Sequence, residues 1–357
     1  MTKNVTREIS DIILKAETVE SVFGILDPIN EEELKKAVRK LQMLVHPDHN
    51  IESDAETVFQ ALKGLEALAN KAISEGIYGE NKKIKVTKIE SKKDVYEVGP
   101  RSWTGANSIV FRGTNKENRP ITLKLAKDVS SNKAIMSTVK TLNKLHADKI
   151  TIGRPVIPQI LDNFSITIDG KKQEALVYDD EPRGELPSLT LTKIFDYYPN
   201  GVAPQHFIWM MKRILGAILA SEEAKVVHGA ILPCHIIVHP DSHLEKLVGW
   251  SHAVDFGQTG KQILEKYKDY YPSNYLTSKL SSTADIFMLA KCMIKVLGGN
   301  IVSNEMPDTV PLILQGYLRS LVVGTLQTSA SLVFHKLVAL AEQVYGSPKF
   351  IQLNIPT

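Results

Sequence analysis

The chain has 357 residues, of which 43% are hydrophobic and 23% charged, which is ordinary globular material for two or three domains. Its 43 Lys and Arg against 40 Asp and Glu leave a net charge of +3, too near balance for a nucleic-acid or membrane-surface binder. Two distant cysteines, Cys234 and Cys292, argue against a disulfide framework or a cysteine metal site and fit a reducing compartment; with no continuous apolar leader and no apolar run near the roughly 20 residues of a membrane span, a soluble cytoplasmic protein is expected.

Residues 1–78 read almost entirely as helix. Within NEEELKKAVRKLQMLV the apolar residues Leu34, Val38, Leu41 and Val45 recur at helical spacing. Asn30 is placed to cap that helix, with Glu31–Glu33 in its first turn. After HPDHN a second long helix is predicted from Ala55 to Ser74, with Phe59, Leu62, Leu65 and Leu68 apolar and an end near Gly76. Residues 79–94 are charged and led by glycine, which marks a linker with room for one strand. From about 95 the pattern changes to short strands, SIVFRG, ITLKLAK, FSITID and QEALVYDD, each bounded by Gly, Pro, Asn or Asp. Beyond about 204 helices dominate, interrupted by the apolar pair IIVHP and KLVGW with DSHLE between, predicted as a hairpin. Strands followed by helices make this second region α+β.

The stretch FGILDPINEEELKKAVRKLQMLVHPDHN, with VFQALKGLEALANKA after it, resembles a J-domain. The likeness rests on a short helix around Val22–Leu26, a basic second helix, the tripeptide His46-Pro47-Asp48 followed by Asn50, and Phe59 in the third helix. Val38 stands where the family usually has a tyrosine. Pro47 holds its own φ and disfavours helical backbone at His46, so the helix must stop there and display His46 and Asp48 on a stiff corner. Lys35, Lys36, Arg39 and Lys40 add positive charge to the helix leading into it, suited to setting the orientation of an acidic partner. The resemblance implies that His46, Pro47 and Asp48, with Lys36, Arg39 and Lys40, contact a DnaK-type chaperone and trigger its ATPase.

Residues 95–357 resemble a protein kinase in outline. In VVHGAILPCHIIVHPDSHLEKLVGW, His228 matches the catalytic-loop His and Pro233 is kept. Ala230 then falls at the catalytic-base Asp, Leu232 at the Lys, His235 at the metal-binding Asn and Gly249 at the Asp of the metal loop. A literal Asp255-Phe256-Gly257 lies six residues past the strand and reads as a decoy. ITLKLAK resembles the strand carrying the family's Lys, which gives Lys124; Thr138 stands where its Glu partner is expected. RSWTGANSIVFRG matches the glycine-rich loop only at Gly105 and Val110, with Trp103 and Ser108 replacing glycines that let backbone approach phosphate. In STADIFMLAKCM, Asp285 matches an architectural Asp that buttresses the catalytic loop, and YYPSN keeps Pro272 of the activation-segment end.

Phosphoryl transfer needs positioned metal and a base orienting the hydroxyl. With base, metal ligands and Glu all replaced, the resemblance implies a pseudokinase without cofactor or metal, a possible nucleotide-binding remnant surviving at Lys124 and Gly105. The histidines 228, 235, 239, 243 and 252 have no recognised metal-ligand spacing and read as loop residues, Trp209, Met210 and Met211 as helix core, and Trp250 as a pocket filler. A J-domain joined to such a region also resembles a set of bacterial and phage proteins labelled DnaJ-like chaperones, whose C-terminus often reads like YGSPKF. The expected organisation is an all-α J-domain at 1–78, a charged linker at 79–94 and a two-lobed kinase-like fold at 95–357: a co-chaperone, not itself an enzyme, whose second region holds an unidentified client. Two alternatives stay open. One is an atypical kinase or nucleotide-transferring enzyme using Lys124 with Asp255 or Asp241, and the other is a non-catalytic scaffold.

Overall fold

A computed structural model of the chain describes residues 3–46, 55–80, 87–147, 150, 152–180, 188–323 and 328–355. They fall into two compact units, 1–129 with 164–187 and 130–163 with 188–355. The expected linker at 79–94 lies inside the first unit, and the expected kinase-like region is shared between the two.

The first unit begins with helices α1 (Lys3–Leu14), α2 (Glu20–Phe23), α3 (Glu31–Val45) and α4 (Ala55–Ser74). Helix α3 starts where the Asn30 side chain accepts the Glu33 amide at 2.9 Å, satisfying one of the free donors of the first turn. Its spacing of apolar residues puts Leu34, Val38 and Val45 on one buried stripe. Val58, Leu62, Leu65 and Ala69 of α4 close on that stripe, and Ile13 and Phe23 complete the cluster. The short second helix therefore sits at 20–23, slightly ahead of the Val22–Leu26 expected, because Gly24 turns the chain at φ 74°. Tyr78 fastens the far end of the bundle by donating its hydroxyl to the Gly24 carbonyl at 2.9 Å.

A sheet with strand order β1-β2-β3-β4-β6-β5 is formed by β1 (Thr87–Glu90), β2 (Val95–Thr104), β3 (Ser108–Asn115), β4 (Pro120–Ala126), β5 (Ile160–Ile168) and β6 (Lys171–Asp179), all in the first unit except residues 160–163 of β5. Strand β1 is the strand for which the charged 79–94 stretch left room. Alternation in β4 buries Ile121, Leu123 and Leu125 with Tyr96, Val98, Ala175 and Val177, and turns Lys124 to the other face.

The second unit contains α5 (Asn132–Leu145), β7 (Leu189–Thr190), α6 (Leu191–Tyr197), α7 (Pro204–Glu223), β8 (Val226–Val227), β9 (Ile236–His239), β10 (Leu244–Leu247), β11 (Val254–Asp255), α8 (Ser282–Val296), α9 (Leu312–Val322) and α10 (Ala330–Tyr345). Helix α7 is its axis: Phe207, Met210, Met211, Ile214 and Ile218 are buried, and α8 and α10 pack along it. The hairpin forms earlier than its sequence suggested. Leu244 already pairs with His239, and the strand expected to run through KLVGW stops at Leu247. It stops because Gly249 takes the left-handed region and residues 250–252 coil into a tight 3-10 turn. Strand β11 pairs antiparallel with β8, which places Asp255 opposite Val226. Among the described residues, no helix is long and apolar enough to cross a membrane.

Leu34 and Leu62 are both fully buried in the helical cluster. Truncating either to Ala removes the transfer energy of the lost methyls and leaves a void, so a loss of about 2–5 kcal/mol is expected in denaturant titrations. The exposed Leu312 to Ala should change the midpoint far less.

Candidate functional site

Two groups of the sequence-predicted residues are brought together, one in each unit. In the first, α3 ends at His46, whose backbone has left the helix at ψ 131° while its amide still donates to the Gln42 carbonyl at 2.8 Å. This is the break that a following proline imposes. The His46 ring meets Phe59 of α4 edge-on, 4.7 Å between centroids, and Lys63 lies over the same Phe59 ring at 4.7 Å. Pro47 and Asp48 lie outside the described residues. Lys35, Lys36, Arg39 and Lys40 all face solvent along α3. Lys36 is paired with Glu33 at 2.6 Å and Lys35 with Glu31 at 3.8 Å. Arg39 and Lys40 form no ion pair among the described residues, so the uncompensated charge is concentrated toward the His46 end.

The second group is built from the loop after β8 and the turn after β10. Asp285, in the first turn of α8, is completely buried and accepts the amides of His228 at 2.7 Å and Gly229 at 2.9 Å. Tyr275 donates its hydroxyl to the Gly229 carbonyl at 2.7 Å, so Gly229 is held through both its amide and its carbonyl, in two successive peptide groups. Next in the loop, the Ala230 amide donates to Nδ1 of His228 at 3.2 Å. That bond requires a lone pair on Nδ1, so the His228 proton is on Nε2, which reaches the Val248 carbonyl at 2.9 Å. Burial pushes the His228 pKa well below its ordinary value, the neighbouring His235 pushing the same way. A neutral imidazole with Trp250 against its face, 4.4 Å between centroids, is therefore a fixed strut of this loop.

His235 and Gly249, the positions matching the two metal ligands, lie against each other. A Cβ on Gly249 would come within 2.7 Å of the His235 ring, so the imidazole occupies the volume a longer side chain would need. The ring's Nδ1 is satisfied by the Ala230 carbonyl at 2.8 Å. Ala230 is completely buried and brings no proton acceptor in its side chain. Where two oxygen ligands and a base are expected from the resemblance, the chain thus has a methyl, an imidazole engaged with backbone and a glycine.

The other predicted residues stand apart. Thr138 faces the buried side of α5 and donates to the Ala134 carbonyl at 2.9 Å. Lys124 lies mid-strand between Val110 and Leu176, is unpaired with any carboxylate among the described residues, and is pulled down to a pKa of about 8 by burial. The Gly105 amide is spent on closing its own hairpin, donating to the Ser108 carbonyl at 2.8 Å. Asp255 is exposed and ion-paired to Lys144 at 2.8 Å, which holds its carboxyl below the usual range, and Asp241 accepts from Gln352. Of the remaining histidines, His239 meets Ser188, and His243 is stacked between Trp209 and Phe350. Among the described residues no three His, Cys, Asp or Glu side chains are grouped to hold a metal ion. Sequence reasoning missed Tyr275 and the Gly249–His235 contact. The first had a visible signal in the tyrosines of YYPSNY, whereas the second joins residues in different loops and had none.

No family model and no curated protein matches the chain. Among solved structures it is similar to a crystal structure of a kinase domain at 15% identity and TM-score 0.47, over 56% of this chain and 63% of that one. The chain thus spans less than two thirds of that domain. A likeness of this size leaves the kinase outline resting on the residues themselves.

Three outcomes are expected. Gly249→Ala would force a side chain onto the His235 ring and onto a φ of 91°, costing at least about 1–3 kcal/mol in thermal unfolding, with His235→Ala in the same chain restoring only the steric share. Asp285→Ala would leave two buried amides unpartnered, at about 1–3 kcal/mol each. Burial raises the Asp285 pKa from 3.8 to about 7, with the two amides acting against it. Between these values the folded chain keeps a proton that the unfolded chain releases, so this group's contribution falls as pH rises from about 4 through 7. Replacing Asp285 with Asn should flatten that part of the stability profile, measured by denaturant titration across the window.

Proposed function

We propose that the chain is a co-chaperone of the DnaJ type, in which residues 1–78 stimulate the ATPase of a DnaK-type chaperone. Residues 95–357 then serve as a kinase-like body without phosphotransfer chemistry that holds a client or partner protein. The observation carrying the first half is the end of α3: an exposed cationic face runs into His46, which has left helical backbone and is braced against Phe59. A braced imidazole at the end of the helix that carries Arg39 and Lys40, which form no ion pair among the described residues, is suited to an acidic partner, with the charges setting approach and the corner setting register. Support for the second half is that Ala230, His235 and Gly249 stand where the resemblance expects base and metal ligands, with the His235 ring occupying the space a side chain at 249 would need. Asp285 and Tyr275 still hold the loop in place, which is an architectural role independent of catalysis.

The test is the steady-state ATPase of the cognate DnaK-type chaperone with the full chain and with its His46→Gln form. Stimulation by the wild type, falling to the basal rate with His46→Gln while the thermal midpoint is kept, is the expected result. Equal rates for both, at the basal level, would leave a scaffold as the better account. A second reading has one observation in its favour, Lys124, which meets no carboxylate among the described residues and whose pKa burial lowers to about 8. It assigns Lys124 and Asp255 to nucleotide and magnesium, yet Asp255 is already engaged by Lys144. It requires magnesium-dependent thermal stabilisation by millimolar ATP, and none is expected.

A further inference from the structure

Within the second unit, α5 and the segment 253–261 enclose a cavity of about 450 Å³. Three ammonium groups line it, Lys140 and Lys144 from α5 and Lys261 from the segment, against a single carboxylate, Asp255. Lys144 and Asp255 neutralise each other at 2.8 Å. Among the described residues Lys261 donates to neutral oxygens, Ser137 Oγ at 3.2 Å and the Ser251 carbonyl at 2.9 Å, and forms no ion pair. Lys140 makes no ion pair among the described residues, although it is close enough to help lower the Asp255 pKa. Two positive charges therefore remain uncompensated in one concavity.

The wall formed by 254–260 is held by main-chain bonds. β11 is paired with β8, Gly257 donates to the Leu280 carbonyl and Leu280 to the Gln258 carbonyl, each at 2.8 Å, and Gly260 donates to Tyr275 at 3.1 Å. Like charges kept together on such a frame repel each other until an anion enters, and that entry recovers charge-assisted hydrogen bonds. A carboxylate would leave one of the two charges unmatched. A phosphoryl dianion matches both and has acceptor oxygens for Thr141 and Ser137 as well. The volume lies in the range of small-molecule sites, roughly 300–1,000 Å³. Val226 and Val254 add an apolar wall against which a carbon skeleton can lie.

We propose that this cavity binds the phosphoryl group of a small soluble molecule, through Lys140 and Lys261. The proposal is independent of the co-chaperone reading. It is tested by calorimetric titration of the full chain at low salt with inorganic phosphate and with O-phosphoserine. Saturable binding at millimolar Kd or tighter is expected, weakened roughly tenfold by Lys140→Gln, which removes a charge that no ion pair uses among the described residues, and unchanged by Lys116→Gln, at an exposed position. Lys261→Gln should weaken it similarly. The proposal is overturned if neither probe binds up to about 10 mM, or if Lys140→Gln binds as well as wild type. Binding of a phosphoserine peptide but of neither small probe also overturns it, since that would place the phosphoryl group on a partner protein.

Discussion

The carboxylate of Asp285 reaches from the first turn of α8 to two successive backbone amides, those of His228 and Gly229. Both amides lie in a loop sealed from water, where an unpaired donor is costly, and the loop has no strand partner of its own to take them. Everything around it follows from this grip. With the peptide at 228–229 held, the His228 ring stands between the Ala230 amide and the Val248 carbonyl. Trp250 closes against that ring, and Ala230 presents its carbonyl to His235. One buried acid thus organises both loops in which the kinase resemblance places its chemistry.

The frame does not depend on which side chains stand at the positions that the resemblance singles out. The buttress acts on main chain, so it is indifferent to the side chains at 230, 235 and 249. An alanine, a histidine and a glycine can occupy those positions provided they fill the space, and the His235 ring resting on the bare Cα of Gly249 fills it. With the imidazole there, a Cβ at 249 would come within 2.7 Å of the ring.

In the helical part of the first unit the dependence is simpler. A single apolar stripe on α3 meets one on α4, and the outward face is left free to carry charge. At the end of α3 the half-buried His46 leaves helical backbone and holds a defined direction through Phe59.

The sequence by itself determined the features governed by near neighbours. The Asn30 cap, the bounds of the helices 31–45 and 55–74, the end of the first of these at His46, the outward turn of Lys124 and the short strands of the sheet all follow from propensity, periodicity and turn residues within a few positions. The match of Asp285 to an architectural position was also legible, because Asp at the start of a strongly apolar helix is a local signal. Only the tertiary structure decided the rest. It set the hairpin register through the left-handed Gly249, and put His235 in the space beside that glycine. It drew Tyr275 onto the Gly229 carbonyl and gathered three lysines separated by up to a hundred and more positions around one cavity. These are contacts between segments remote in sequence, whose energies depend on distance and burial, and neither quantity is written in the order of residues until the chain has closed on itself.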